Sequence, residues 1–331
     1  MLRLLFTFVP VTICASAVLA QDEMSDSIPF LSGELPDVEP LPRAFTTAEE
    51  HYRYLHEAAD GGTRHTIDTI PQWNGLWTIG SNSAGELFLD GAVFLGIAPG
   101  GTVREGVLTP PYEEHFRDRR AQLDQFGEQQ FDRLANCEYP GAARWLMEPY
   151  VKEFVNLPHQ SWMMNDFMNE NRRVFIGQEP VNLDGQHSAT GDSIGFWNDD
   201  ELVIWTKWLN PADMFRGMPL TSNQMEIIER WRERQAPDGT HQLVTQVTFY
   251  DPLAFERPLS AVYTHNHAPD LEQAGVRIRN WECTTSSNAY QDENGNTQFY
   301  LPGDPEYRDP RGTSDYPELP GQSFDPILEQ Q

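Results

Sequence analysis

The chain has 331 residues, with 50 acidic against 23 basic side chains and a formal net charge of −27. A chain of this length can bury a sizeable core in one large domain or two small ones. So negative a surface repels phosphate backbones and anionic membranes, which argues against nucleic acid as a partner.

The first twenty residues have the three parts of a secretory signal peptide. Arg3 supplies the charged start, an apolar run extends over residues 4–19, and small residues lead up to Ala20. A membrane anchor is the alternative, but the run is short and acidic residues follow it. We therefore expect cleavage after Ala20, no transmembrane segment in the mature chain, and a periplasmic or secreted location.

Cys137 and Cys283 are the cysteines that remain after such a cleavage. In an exported chain two cysteines most often form a disulfide, so we expect a Cys137–Cys283 bond. The alternative is a cysteine nucleophile, which needs a neighbouring base and a lowered thiol pKa. No pattern in the sequence indicates such a base.

Residues 21–68 are predicted to form an extended lead-in followed by a short helix. The stretch is acidic and proline-spaced until the Thr46–Glu50 segment, which has the hydroxyl-to-glutamate spacing of a capping box. Gly61 and Gly62 then supply a stop signal, so the pattern predicts a helix at about 47–60.

Residues 69–285 are predicted to form a β-rich domain, because short apolar runs alternate there with Gly, Asn and Pro. An amphipathic helix is expected at about 111–135, after a cap and two prolines. Pro237-Asp238-Gly239 indicates a hairpin, so the ambiguous segment 224–234 is read as a strand. The predicted strands are 76–79, 87–89, 92–97, 151–157, 161–168, 173–176, 201–205, 224–234, 243–249, 259–265 and 276–283.

Strands joined mainly by short turns predict a mainly β fold. We expect an antiparallel barrel or sandwich, the calycin barrel being one candidate form, with one or two amphipathic helices. Residues 286–331 are rich in Gly, Pro, Asp and Tyr without a period, and we expect an extended or disordered tail.

Several motifs in this order resemble a broad group of largely uncharacterised exported bacterial proteins. They include a G-x-S-x-G-x-W…L-V segment at 191–203 and a D-P-x-A-F-x-R-P-L segment at 251–259. The resemblance implies a β-rich exported domain and paired use of the two cysteines, and it carries over no catalytic residue. Members often have His where this chain has Asp192 and Phe196, which weakens any claim of shared chemistry there.

The segment Gly191–Gly195 also matches the G-x-S-x-G nucleophile elbow of hydrolases. That elbow requires a buried strand before the serine and a helix after it. Here polar residues precede the motif and another strand follows, so we interpret it as a glycine-containing turn between strands.

His265 and His267 are the strongest metal-ligand candidates in the chain. Alternate residues of a strand project to one face, and Asp270 or Glu272 would complete a two-histidine, one-carboxylate site. Pro269 breaks the strand, however, and a solvated strand end is the preferred interpretation. We predict no bound cofactor, with a divalent metal held by His265, His267 and Glu272 as the alternative.

Large apolar side chains stand close together at residues 162–168, and two arginines follow them. Such residues in a barrel can line a pocket, although ordinary core packing is the alternative for each. The predicted ligand-binding residues are Trp162, Met164, Arg172, Asp192 and Trp197. The titratable candidates for catalysis are His159, Asp166, Asp192 and His265.

These patterns lead to three hypotheses about function. The first is an exported protein that binds a small, largely apolar or aromatic molecule. The second is an exported enzyme, a hydrolase, isomerase or metal-dependent enzyme, with a His and carboxylate site in the same cavity. The third is a structural or interaction protein of the cell envelope. The ligand, any reaction and the oligomeric state have no signal in the sequence.

Overall fold

A computed structural model provides the architecture. It describes residues 42–80, 106–126, 137–178, 186–215, 218–281, 289–291, 297–300 and 304–307. The expected signal peptide, the predicted strands at 87–89 and 92–97, and Cys283 lie outside these ranges. Within them, no helix is both long and apolar enough to cross a membrane.

Strands dominate the described part of the chain, as predicted. They are β1 (Leu76–Ile79), β2 (Lys152–Leu157), β3 (Gln160–Asn165), β4 (Arg172–Ile176), β5 (Asp192–Asn198), β6 (Glu201–Lys207), β7 (Asp213–Phe215), β8 (Met218–Leu220), β9 (Glu226–Gln235), β10 (His241–Tyr250), β11 (Leu259–His267), β12 (Ala289–Gln291) and β13 (Thr297–Phe299). The helices are α1 (Ala48–Ala58), α2 (Pro110–Phe126), α3 (Ala142–Met147) and α4 (Pro269–Gln273).

Nine of these strands close into a barrel, in the order β1-β11-β10-β9-β6-β5-β4-β3-β2. This confirms the mainly β prediction and selects the barrel over the sandwich. The pairs β7–β8 and β12–β13 form two small separate sheets. One relationship differs from the antiparallel expectation, because β4 and β5 run parallel, with Val174 opposite Ser193. The chain therefore enters β5 at the same end of the barrel at which it enters β4.

The predicted hairpin is confirmed, and its turn residues explain it. β9 and β10 pair from Gln235 opposite His241 to Glu226 opposite Tyr250. Gly239 in the connecting turn has a φ of 86°, which side-chain-bearing residues rarely adopt. The ambiguous segment 224–234 is thus mostly strand, because the hairpin buries one of its faces.

Two predicted strands end earlier or do not form. The strand predicted at 161–168 stops at Asn165, and further on Met168 and Asn169 have φ values of 54° and 56°, outside the β region. The strand predicted at 276–283 is wrong over its described part, since residues 276–281 are irregular. Trp281 instead exchanges hydrogen bonds with the Asn169 side chain.

Helix α1 forms where the capping box predicts it and covers the outer face of the barrel. The Thr47 side chain accepts the Glu50 N–H at 3.2 Å, as an N-cap should. The helix buries Ala48 and Tyr52 against outward-facing residues of β5, β6 and β9. These contacts form a second, smaller core outside the barrel.

Helix α3 lies in the main core. All six of its residues are buried, and the Trp145 ring packs edge to face against Phe154 of β2 and Trp231 of β9. A helix that is buried on every side has no amphipathic pattern. This explains why the sequence did not reveal it.

Candidate functional site: a basic cleft beside helix α1

A cleft of about 500 Å³ lies where the C-terminal half of α1 meets one end of the barrel. We call it the α1 cleft. It is lined by Tyr52, Arg53, His56, Gly61, Gly62, Thr63, Arg64, His65, Pro158, His159, Ile176, Gly177, Gln178, Gly195, Phe196, Trp197 and Trp205. Its volume is in the range of small-molecule sites.

The loop after α1 is fixed to the end of β5, which gives the cleft one firm wall. Thr63 donates its backbone N–H to the Trp197 carbonyl oxygen at 2.6 Å. The His65 ring nitrogen Nε2 lies 2.8 Å from the Asp199 carbonyl oxygen. The loop approaches the strand so closely that a Cβ on Gly62 would lie 3.1 Å from the Phe196 Cβ. Glycine at this position is therefore a packing requirement as well as a helix stop.

Four aromatic residues, each no more than 9% exposed, lie beneath the surface of the cleft. Tyr52 packs on Phe196 and on Trp205, with ring centres 5.4 Å apart in each pair. Trp197 is 1% exposed, and its Nε1 has no hydrogen-bond partner among the described residues. Aromatic walls with a few polar groups are the usual lining of a site for a small apolar molecule.

The arginines and histidines of the lining give the cleft its charge. Two arginines and three histidines line it, and no aspartate or glutamate is among the lining residues. Arg53 forms an ion pair with Glu49 just outside. No such pair involves Arg64 in the described part of the chain, although the whole protein carries a net charge of −27. The lining itself is thus basic, although the Asp199 carboxylate lies next to it, with its Oδ1 3.2 Å from the Thr63 Oγ1.

A second group of polar side chains lies inside the barrel, and we call it the interior charge cluster. It consists of Arg144, Glu148, Lys152, Glu170, Arg172 and Glu229, each no more than 2% exposed. Glu229 binds Arg172 through both carboxylate oxygens and accepts the Trp231 indole N–H at 2.9 Å. Because buried charges are costly unless paired, these contacts are what allows the cluster to exist.

The cluster holds α3 in place through its hydrogen bonds. Glu170 accepts the Gly141 N–H at 2.8 Å, directly before α3. Arg144 pairs with Glu148, whose backbone oxygen accepts from Lys152 Nζ at 2.8 Å. The centre of the Trp145 ring lies 5.1 Å from the Lys152 Nζ and 5.3 Å from the Arg172 guanidinium carbon.

Burial shifts the acid–base behaviour of this interior. It lowers the pKa of the Lys152 ammonium to about 7, against the opposing attraction of Glu148. It raises the pKa of Glu170 to about 8, although the Gly141 N–H and the nearby arginines oppose the change. Burial, and then the Lys152 charge, lowers the pKa of His265 well below its ordinary value. The barrel therefore contains a neutral imidazole beside an amine that titrates near neutrality.

The five predicted ligand-binding residues do not share a cavity. Trp162 and Met164 project from the outer face of β3, where the alternate residues are buried, and the Arg173 guanidinium covers the Trp162 ring at 5.2 Å. Arg172 and Trp197 are buried and face inward. Asp192 is exposed, at the other end of β5 from Trp197. The predicted single pocket is therefore divided by the sheet, and Trp197 is the one member that lines the α1 cleft.

Two of the catalytic candidates, His159 and Asp166, flank β3 on opposite ends. With a rise of about 3.3 Å per residue, they lie roughly 20 Å apart and cannot act as a pair. His159 is exposed in the β2–β3 turn and lines the α1 cleft. Asp166 accepts the Arg279 backbone N–H at 2.9 Å.

The two histidines proposed as metal ligands differ in burial. His265 is 0% exposed and stacks on Trp231, with ring centres 5.3 Å apart. His267 lies nearer solvent, 3.6 Å from Glu272, and that carboxylate also accepts the Leu76 N–H at 2.7 Å. Across the described residues, no group of three His, Cys, Asp or Glu side chains is placed to hold a metal ion.

The serine of the G-x-S-x-G segment is a structural residue. Ser193 lies in β5, 3% exposed, with its Oγ 2.8 Å from the Thr206 Oγ1. Gly195 is needed for packing, because a Cβ there would come 2.6 Å from the Val203 carbonyl oxygen. The segment is thus strand rather than the expected turn, apart from Gly191, whose φ is 62°.

Sequence reasoning missed most of the residues that form the α1 cleft. It treated Gly61 and Gly62 only as a helix stop, and it did not single out His56, Arg64 or His65. The signal that could have found them is the concentration of basic residues at 51–65 in so acidic a chain.

We compared the chain with protein-family models, curated proteins and solved structures, and none of the three comparisons gave a significant match.

Proposed function

We propose that this protein is exported and binds a small, largely apolar or aromatic molecule in the α1 cleft. The observation that carries the proposal is an aromatic-walled cleft of about 500 Å³, one wall of which is hydrogen-bonded to the barrel. A wall that is already fixed costs little ordering entropy on binding, which favours affinity.

Burial of an aromatic ligand against the cleft supplies the driving force. Removing apolar surface from water contributes about 25 cal/mol per Å², so a ligand of one or two rings gains several kcal/mol before the cost of association. The His56 and His159 side chains of the lining offer polar contacts that an aromatic wall alone would lack. A ligand with one polar group beside its rings therefore fits the cleft best.

The proposal is tested with the uncharged fluorescent probe N-phenyl-1-naphthylamine, whose emission rises in apolar sites. We expect saturable binding to the wild-type chain. His159→Trp adds a bulky ring at an exposed cleft position and should weaken binding at least tenfold. The matched control is Val155→Trp, which adds the same ring at a 41% exposed position outside the cleft and should leave binding unchanged. Equal probe affinity in both variants, or no binding to the wild type, would reject the proposal.

An enzyme is the second candidate, and the interior charge cluster is what favours it. Strongly shifted pKa values next to a neutral imidazole are frequent in active sites. In this case His265 would act as a base, with Lys152 or a carboxylate of the cluster as its partner. A panel of nitrophenyl esters tests the hydrolase version. Turnover that is lost in a folded His265→Gln variant supports it, and turnover that the variant retains counts against it.

A further inference from the structure

We infer that the ligand of the α1 cleft carries a negatively charged group, a carboxylate, sulfonate or phosphate monoester, held at the rim by Arg64. This inference rests on the proposed function and names the chemical class of ligand that the same site selects.

The first support is the contrast in charge between the cleft and the rest of the protein. The chain has more than twice as many acidic as basic residues, yet the cleft is lined by Arg53, Arg64, His56, His65 and His159 without a carboxylate. Glu49 neutralises Arg53, and the nearby Asp199 carboxylate accepts the Thr63 hydroxyl at 3.2 Å. Among the described residues, Arg64 is therefore the unpaired charge of the lining that attracts an anion at short range.

The second support is the way the fold holds Arg64. Its neighbours on both sides are bound to the end of β5, Thr63 through the Trp197 carbonyl and His65 through the Asp199 carbonyl. The backbone of Arg64 is therefore fixed at the rim while its side chain stays exposed. No described residue forms an ion pair with this guanidinium, whereas Arg53 and Arg43 pair with Glu49 and Glu50.

The test uses two probes with the same aromatic skeleton. 8-Anilinonaphthalene-1-sulfonate carries a sulfonate that N-phenyl-1-naphthylamine lacks, so the ratio of their affinities isolates the contribution of the anion. We expect the sulfonate to bind the wild-type chain about tenfold more tightly, as a charge-assisted contact to arginine would produce. Arg64→Gln should abolish that preference by lowering the affinity for the sulfonate about tenfold more than the affinity for the neutral probe, while Arg64→Lys should keep part of the preference. The control Arg43→Gln removes an exposed arginine outside the cleft and should change neither affinity.

The outcomes separate the two proposals. Tight binding of the neutral probe with no preference for the sulfonate, or a preference that persists in Arg64→Gln, overturns the anion inference and leaves the proposed function intact. Sulfonate binding that His159→Trp does not weaken also overturns it, because the probe then binds elsewhere. If neither probe binds, both proposals are rejected together.

Discussion

Arg172 of β4 and Glu229 of β9 form a two-point ion pair across the interior of the barrel, and neither side chain reaches solvent. β5 and β6 lie between them in the sheet and contribute Ser193 and Thr206 to the same network. The pair therefore ties together strands that are not neighbours.

The stability of the folded protein should depend strongly on whether Arg172 and Glu229 are both present. We expect Arg172→Met alone to lower the free energy of unfolding by about 3–5 kcal/mol, because it leaves the Glu229 charge buried without its cation. The double variant Arg172→Met/Glu229→Met should be less destabilised than Arg172→Met alone. Urea unfolding followed by circular dichroism measures both values. A double variant as unstable as the sum of its single variants would contradict the argument.

Export and disulfide formation can be tested on one sample. We expect protein isolated from a periplasm to begin at Gln21 and to contain a Cys137–Cys283 bond, and Cys137→Ser to lower stability by about 2–5 kcal/mol. Intact mass and non-reducing peptide mapping give the answer. Free thiols at both cysteines would show that the disulfide prediction is wrong.

Acid should weaken the docking of α1 through His51. This side chain is 1% exposed, its Nδ1 lies 3.0 Å from the Tyr250 hydroxyl, and burial and then the Arg230 charge lower its pKa from 6.5 to about 4. At a pH between these two pKa values, the His51 imidazole binds a proton when α1 is detached from the barrel and stays neutral when α1 is packed on it. Stability is therefore lost as the pH falls from about 6.5 to about 4, by up to about 3 kcal/mol.

Hydrogen exchange of the α1 amides, corrected for the intrinsic pH dependence, measures this loss. We expect the protection of α1 to decrease between pH 7 and pH 5 in the wild-type chain. In His51→Gln, which cannot titrate, that decrease should be absent. The same decrease in both proteins would assign the effect to another group.

The two glycines after α1 provide a matched pair. Gly61 and Gly62 have φ values of 85° and 89°, so an alanine at either position pays a similar backbone cost of about 1 kcal/mol. They differ in contacts, since a Cβ on Gly61 meets nothing closer than 3.8 Å, whereas one on Gly62 is 3.1 Å from Phe196 and from the Trp197 carbonyl. Gly62→Ala should therefore be clearly less stable than Gly61→Ala in thermal unfolding and should weaken probe binding. Equal effects would show that the loop does not pack on β5 as described.

The elements that the sequence predicted well are those whose signals are local. The capping box at Thr47 and the Pro237–Gly239 turn each act within a few residues, so α1 and the β9–β10 hairpin were predicted correctly. The site depends on contacts between distant segments. The α1 cleft joins the end of α1 to β5 and to the β2–β3 turn, and the Arg172–Glu229 pair spans 57 residues. No local pattern contains such contacts.

The position of Trp162 shows a second limit of prediction from sequence, which concerns the face of a strand that is buried. Trp162, Met163 and Met164 are three consecutive apolar residues, so alternation could not decide which of them faces the core. The structure places Met163 inside at 0% exposure and leaves Trp162 outside. The face was set by the register with β2 and β4, which only the closed barrel determines.

The place of β1 in the barrel has a consequence for folding. This strand of four residues joins β2 on one side and β11 on the other, although more than half of the chain separates Trp77 from its partner His267. During synthesis from the N-terminus, β1 must wait for the last barrel strand before the sheet can close. Until β11 pairs with β1, the sheet has two open edges, which are templates for aggregation. Such a high contact order makes closure slow, so a chaperone that shields these edges should raise the yield of folded protein more than one that acts on the hairpins.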